Sequence, residues 1–170
     1  MSEILILMGS DSDLPVVSDG LSVLKDFGVD FEVHISSAHR CLERTLEIVT
    51  DFENGEGKVI IAAAGMSAHL AGVVSAHTTL PVIGIPLSSG DFAGLDSLLS
   101  MIEMPPGIPV GVMGKGKAGA KNAALLAIQI LALSNPALKQ KVRDFRVKLK
   151  DEVAEKDKKL QSEGWENYSK

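Results

Sequence analysis

Residues 4–15 read Ile4-Leu5-Ile6-Leu7-Met8-Gly9-Ser10-Asp11-Ser12-Asp13-Leu14-Pro15, and the order of these pieces decides the fold. The aliphatic run predicts a short strand over 4–8, buried on both faces. A Gly/Ser/Asp loop follows it, and Pro15 suits the first turn of a helix predicted over 15–27, where its missing N–H is not needed. The unit then recurs along the chain. Strands are predicted near 31–35, 58–62, 81–85 and 109–113, and helices near 41–53, 67–77, 94–103 and 118–133. Strands that alternate with helices pair in parallel, because each parallel connection needs a crossover. The expected fold is therefore α/β, a three-layer doubly wound parallel sheet with flavodoxin-like strand order.

Beyond this core, Asn135 and Pro136 open a long segment whose apolar residues Leu138, Val142, Phe145, Leu149, Val153 and Leu160 recur at three- to four-residue steps. It predicts one long C-terminal helix, followed by the sole Trp and sole Tyr, Trp165 and Tyr168. The expected organisation is an α/β catalytic domain over 1–133 and a C-terminal helical arm over 134–170. Termini fray unless something holds them, so the arm is expected to pack on its own body or on a neighbouring subunit.

Composition narrows the function. The chain has 170 residues, 45% of them hydrophobic and 23% charged, enough apolar content for a self-sufficient core. No apolar run reaches the length of a membrane span, and Cys41 is the sole cysteine, so no internal disulfide can form. Both features suit a cytoplasmic protein with no membrane partner. The net charge of −5 is uneven: residues 137–170 are basic, and everything before them is strongly acidic. An acidic body argues against nucleic-acid binding, which wants a basic face. Among its few cations, Arg40, Lys115, Lys117 and Lys121 fall in or beside Gly-, Ser- or Ala-rich loops, where a small anion would be held.

Ligands of open parallel sheets bind at the carboxyl ends of the strands, where strand order reverses. Those ends carry Gly9-Ser10-Asp11-Ser12-Asp13, Ser36-Ser37-Ala38-His39-Arg40, Ala63-Ala64-Gly65-Met66-Ser67-Ala68-His69, Ser88-Ser89-Gly90-Asp91 and Gly114-Lys115-Gly116-Lys117-Ala118-Gly119. Hydroxyls and amides at helix starts suit a phosphate, with Arg40 as a charged clamp. Taken alone, Ser10, Ser12 and Asp13 equally suit helix capping before Pro15. The G-x-G-x-x-G of 114–119 follows the last strand, with no acidic ribose ligand about 20 residues on, and is a poor dinucleotide fingerprint. Asp11 and Asp13 are better read as capping acids than as a metal pair. His34 and His77 lie inside predicted elements without polar company and read as structural. His39 and His69 stand at a strand end and a helix start, where a neutral imidazole can act as a base. Met66 reads as core or pocket lining, and Cys41 as a small buried residue. These residues point to a metal-free enzyme acting on a small phosphorylated metabolite, with His39 as acid and base.

The runs Met8-Gly9-Ser10-Asp11-Ser12-Asp13, Ser37-Ala38-His39-Arg40, Ala68-His69-Leu70-Ala71-Gly72, Gly94-Leu95-Asp96-Ser97-Leu98-Leu99-Ser100 with Met104-Pro105, and Gly116 to Ala127 closely resemble one purine-biosynthesis family. It is the N5-carboxyaminoimidazole ribonucleotide mutase family (PurE), also described as the catalytic subunit of phosphoribosylaminoimidazole carboxylase. The likeness spans about residues 4–133. It implies that a carboxylate moves from exocyclic N5 to ring carbon C4 of an aminoimidazole ribonucleotide, with no metal, biotin or ATP and no other cofactor. It further implies that Ser10, Ser12, Asp13 and Arg40 hold the ribose phosphate, and that Ser37, Ala64, His69 and Ser89 line the imidazole and carboxylate pocket. Gly9, Ala38 and Gly65 complete the substrate-binding set, and His39 shuttles the proton around an enclosed CO2. A homo-octamer with sites between subunits is implied as well.

The chain departs from the family at Cys41-Leu42, where Thr-Pro is usual. It departs again at Ala63, Met66, Ser67 and Ala71, which stand for Gly, Gly, Ala and Pro. A branch of the family carboxylates aminoimidazole ribonucleotide directly with CO2, and Gly90-Asp91-Phe92-Ala93-Gly94 leans towards it, while His69 and the 94–100 run favour the mutase. A flavodoxin-like module binding flavin or phosphate is a more distant alternative, with Phe92 the sole aromatic available for stacking at the strand ends.

Overall fold

In the computed structural model, which describes residues 2–169, Ile4–Met8 forms strand β1, and each of its five side chains is buried. It pairs in parallel with β2 (Phe31–Ile35) on one side and with β3 (Val59–Gly65) on the other, Ile4 lying opposite both Phe31 and Val59. Strand β4 (Val82–Leu87) continues the sheet beyond β3, and β5 (Gly111–Val112) closes it, giving the order β2-β1-β3-β4-β5. This is the flavodoxin-like order, and it reverses direction between β1 and β3.

Alternation along the strands loads both faces of the sheet. Leu5, Leu7, Ile60, Ala62 and Ala64 join Val49 and Phe52 of α2 (Leu42–Asn54), Leu70, Ala71 and Val74 of α3 (Leu70–Ser75), and Met101 of α4 (Leu95–Ile102) in one buried cluster. The neighbouring strand positions Ile6, Ile61 and Ile85 point the other way, against Val17 and Leu24 of α1 (Leu14–Phe27) and Ala120 and Ala124 of α5 (Gly116–Leu131). Three layers result, as the sequence predicts.

The differences lie in element ends. Strand β3 runs on through Ala63, Ala64 and Gly65, expected in a loop, because Ala64 and Gly65 still pair with Pro86 and Leu87 of a longer β4. The third helix, expected over 67–77, spans only Leu70–Ser75. A left-handed residue, Met66 at φ 55°, uses up the preceding residues in a turn. Strand β5 shrinks to an edge pair, and α5 begins early, at Gly116. Gly119 lacks a Cβ because the carbonyl of Gly114 folds back onto it. The glycine pattern of 114–119 thus serves a close backbone approach at a helix start.

Two compact units divide at Leu131 and Ala132. The second is built on α6 (Pro136–Glu163), where the Asn135 side chain accepts from the amide of Leu138 at 3.0 Å and Pro136 occupies the first turn. No helix among the described residues is long and apolar enough to cross a membrane.

Glu53, at the end of α2, fastens the approach to β4. Its carboxylate accepts from the hydroxyls of Thr78 and Thr79, both at 2.7 Å, and from the amide of Thr79 at 3.2 Å. The Thr79 hydroxyl, then the Thr78 hydroxyl, hold its pKa below the ordinary glutamate value. A carboxylate with a depressed folded pKa contributes stability above its unfolded pKa, and that contribution is lost as pH falls through the folded value. Glu53→Gln is expected to lower stability at neutral pH by about 1 kcal/mol, a figure reduced for partial exposure. Denaturant unfolding should show the gap closing as pH falls below the ordinary glutamate range.

Candidate active site

At the end of β1 the chain turns sharply through Ser10–Asp13. Ser10 caps a single 3-10 turn, Asp11–Asp13: its Oγ accepts from the Ser12 amide at 3.3 Å, and Asp13 Oδ2 accepts from the Ser10 amide at 3.0 Å. This reciprocal box satisfies two donors that a helix start otherwise leaves bare. Burial raises the pKa of the Asp13 carboxyl, the Ser10 amide opposes that shift, and the Asp11 carboxylate adds to it. The capping reading holds for Ser10 and Asp13, but they cap this 3-10 turn and not α1, whose N-cap Asp13 makes no side-chain cap bond, and Ser12 contributes only its amide. The turn leaves the Ser12 hydroxyl exposed at the end of the sheet, 2.9 Å from Ser10 Oγ.

The end of β2 is tied to this turn. Arg40 Nη2 donates to the Gly9 carbonyl at 3.1 Å, carrying an exposed guanidinium across from the second loop to the first. Ser37, Ala38, His39 and Arg40 form a tight turn in which the amides of Arg40 and Cys41 both donate to the Ser37 carbonyl, at 3.1 and 2.8 Å. His39 is exposed on this turn.

The other side of the reversal carries Ala64, Gly65, His69 and Ser89. Ala64 is buried, and the Met66 amide donates to Ser89 Oγ at 3.0 Å, which links the ends of β3 and β4. Met66 itself is 62% exposed, so it is not core. His69 Nδ1 lies 2.9 Å from the Ser100 carbonyl of α4. A carbonyl only accepts, so Nδ1 carries the proton, and Nε2 of the neutral ring is left with a lone pair. The ring lies over Gly72, where any Cβ would strike it.

Hydrogen bonds join Arg40 to Gly9 and Ser10 to Asp13 at the β1–β2 ends, and Met66 to Ser89 at the β3–β4 ends, where Gly65 packs against the Ser89 side chain. The structure removes two of the four cations expected for an anion: Lys117 and Lys121 sit on α5 and share Asp19 of α1, at 3.5 and 3.2 Å. Lys121 is the first cause of the lowered pKa of Asp19. Lys115 donates to the Ala93 carbonyl at 2.8 Å and stays at the strand ends. His34 and His77 do have polar company, Glu32 at 3.6 Å and Thr50 Oγ1 at 3.0 Å.

The sequence reads Cys41 as a small buried residue and gives Ser100 no role of its own. Cys41 is half-buried rather than core, and its thiol touches Ser37. No sequence signal pairs Ser100 with His69, because the contact is made by a carbonyl 31 residues away. A cleft of about 650 Å³ lies at the opposite end of the sheet, lined by Ser75, Thr78, Leu80, Val82 and Gly111 among others. It shares no residue with the site.

Gly72→Ala is expected to push His69 off the Ser100 carbonyl and to destabilise the fold by about 1–3 kcal/mol. In a His69→Ala background the same change should become neutral or stabilising, since alanine is the better helix former. Thermal unfolding of the four proteins measures both.

The sequence model of the AIR carboxylase family matches residues 3–152. The chain is 51% identical over 168 residues to the N5-carboxyaminoimidazole ribonucleotide mutase of Pyrococcus abyssi, covering 99% of this chain and 95% of that one. It is 45% identical over 163 residues to the phosphoribosylaminoimidazole carboxylase of Saccharomyces cerevisiae, covering 96% of this chain and 28% of that longer protein. A crystal structure of PurE from Treponema denticola aligns with a TM-score of 0.84 at 33% identity, covering 92% of this chain and 97% of the other.

Proposed function

The chain belongs to the AIR carboxylase family, and we propose that it is an N5-carboxyaminoimidazole ribonucleotide mutase, an isomerase of purine biosynthesis. One observation carries this reading. Relatives that bear the mutase name match this chain nearly end to end, with 48% identity over 96% of it in Pyrococcus horikoshii. The relative named a carboxylase is matched over only 28% of its length. Direct carboxylation by CO2 is the second reading, favoured by the carboxylase names of that relative and of the family model and by the run Gly90 to Gly94.

The geometry supplies what the isomerisation asks for. Arg40, already aimed at the Gly9 turn, and the Ser10 and Ser12 hydroxyls take the ribose phosphate by charge-assisted hydrogen bonds. The Asp13 carboxylate accepts from a ribose hydroxyl. Ser37, Ala38, Ala64, Gly65 and Ser89 line the base and carboxylate, beside His69, whose ring is held by the Ser100 carbonyl.

His39 acts twice. It gives a proton to N5 as the N5–carboxyl bond breaks and CO2 departs; C4 then attacks the retained CO2, and His39 takes the C4 proton. The imidazole ends as it began, and the product is an isomer of the substrate, so the balance needs no oxidant and no cofactor. A group that gives and then takes a proton near neutral pH is the natural task of histidine. Retaining CO2 requires a closed site.

Closure is proposed to come from other copies of the chain, in a cytoplasmic homo-octamer. Leu14, Ile35, Leu42, Met66, Phe92 and Leu95 are exposed around the strand ends, with Phe92 at 71%. Large apolar groups in that number on one rim mark an interaction surface. Val147, Val153 and Trp165 of the second unit offer further apolar contact.

Two assays on the purified protein test the reading. Conversion of N5-carboxyaminoimidazole ribonucleotide without added bicarbonate is expected to be fast, and carboxylation of aminoimidazole ribonucleotide in high bicarbonate slow. The reverse ranking would assign the chain to the direct carboxylases. His39→Asn is expected to cut kcat by about 10²–10⁴ while nucleotide affinity by calorimetry stays within a few-fold. A variant that retains turnover would remove His39 from the mechanism.

A further inference from the structure

Cys41 stands at the N-cap position of α2, yet its side chain caps nothing in that helix. The thiol faces backwards into the turn that carries His39 and Arg40. Its Sγ accepts from the Ser37 amide at 3.3 Å and donates to the Ser37 carbonyl at 3.3 Å, so one side chain grips both polar groups of one residue. The same carbonyl also receives the amides of Arg40 and Cys41.

Behind the thiol lies a buried polar chain. Ser36 Oγ is 3.7 Å from Cys41 Sγ and 2.8 Å from Thr45 Oγ1, and Thr45 Oγ1 returns to the Cys41 carbonyl at 3.2 Å. Ser36 and Thr45 are 1% and 0% exposed, so this anchor does not move with solvent. On its other flank the turn is held by Arg40 on the Gly9 carbonyl. Between these fixed points Ala38 packs against the buried cluster, and His39 is the exposed member.

We propose that Cys41 is a positioning residue for the reaction, clamping Ser37 so that the turn presents the His39 imidazole and the Arg40 guanidinium from one rigid frame. The proposal rests on the mutase reading for what the frame is used for. The clamp itself rests only on the contacts of the thiol. A thiolate would strengthen the bond from the Ser37 amide, as charge-assisted bonds are stronger. It would give up only one of three donors to the Ser37 carbonyl. In line with this, the Ser37 amide is the first cause that lowers the thiol pKa, followed by Ser36, with Arg44 and Arg40 adding to it.

Two variants of the full chain test it. Cys41→Ala removes both bonds, and Cys41→Ser keeps a donor and an acceptor on a slightly shorter reach. Small misplacements of a catalytic group cost about ten- to a hundredfold in rate, and Cys41→Ala is expected to lose kcat on that scale. Its melting temperature should fall by only a few degrees, and Cys41→Ser should recover most of the rate. Amide hydrogen exchange should rise in residues 37–41 of Cys41→Ala and return towards wild type in Cys41→Ser. A kcat within twofold of wild type in Cys41→Ala, or Cys41→Ser no better than Cys41→Ala, overturns the proposal. Unchanged exchange over 37–41 also overturns it, even if the wild-type chain turns out to have no mutase activity; that activity result would sink the functional reading separately.

Discussion

The structure depends on β1 being paired in parallel on both sides. The chain leaves β1 through α1 for β2 on one side and returns through α2 to β3 on the other, so that strand order reverses at β1. The carboxyl end of β1 is left as a crevice between loops. Into that gap the chain places Gly9–Asp13 from one side and Ser36–Arg40 from the other, and Arg40 bridges them through the Gly9 carbonyl. The site is thus a result of topology before it is one of chemistry. The aliphatic run Ile4–Met8 secures it, because burial of all five side chains tolerates no shift in register.

The two sides of the gap are stiffened by different means. On the β2 side, side chains bind backbone: Arg40 to Gly9, Cys41 to Ser37, with Ser36 and Thr45 beneath. On the β3 side, the backbone holds side chains: the Met66 amide to Ser89 and the Ser100 carbonyl to His69. A left-handed residue with a bulky side chain, as at Met66, costs of order 1 kcal/mol and survives only where its surroundings fix it. Here the bond to Ser89 contributes part of that fixing.

What could be read from sequence follows from the range of the forces involved. Strands 4–8 and 31–35 were legible to the residue, because an aliphatic run bounded by turn residues is a local signal. Strand β3 was cut short at Ala62, since Ala-Ala-Ala-Gly carries little strand propensity of its own; its extension comes from pairing with β4. The third helix is shorter than its sequence pattern suggests because Met66 adopts a left-handed turn conformation that no local signal announces. Loop membership of the site residues was legible, being set by the strand ends. Their partners are not: His69 finds a carbonyl on α4 and Arg40 finds one just past β1, contacts that only the packed fold brings together. Lys117 and Lys121 were misjudged for the same reason, as Asp19 lies on a helix about 100 residues earlier.

That last pairing bears on how an anionic ligand arrives. By neutralising part of Lys117 and Lys121, Asp19 leaves the sheet end with little long-range positive field, in a chain whose first 136 residues carry a surplus of acid. On the proposed reading, a nucleotide phosphate approaching from beyond a Debye length of about 8 Å meets mild repulsion from that acidic body, and the positive charge it finds at the strand ends is that of Arg40 and Lys115. Added salt screens this long-range repulsion, and it weakens a short-range contact with Arg40 less. On that reading the encounter is expected to change little with moderate salt or to quicken, in contrast to sites that gather anions with a broad basic surface.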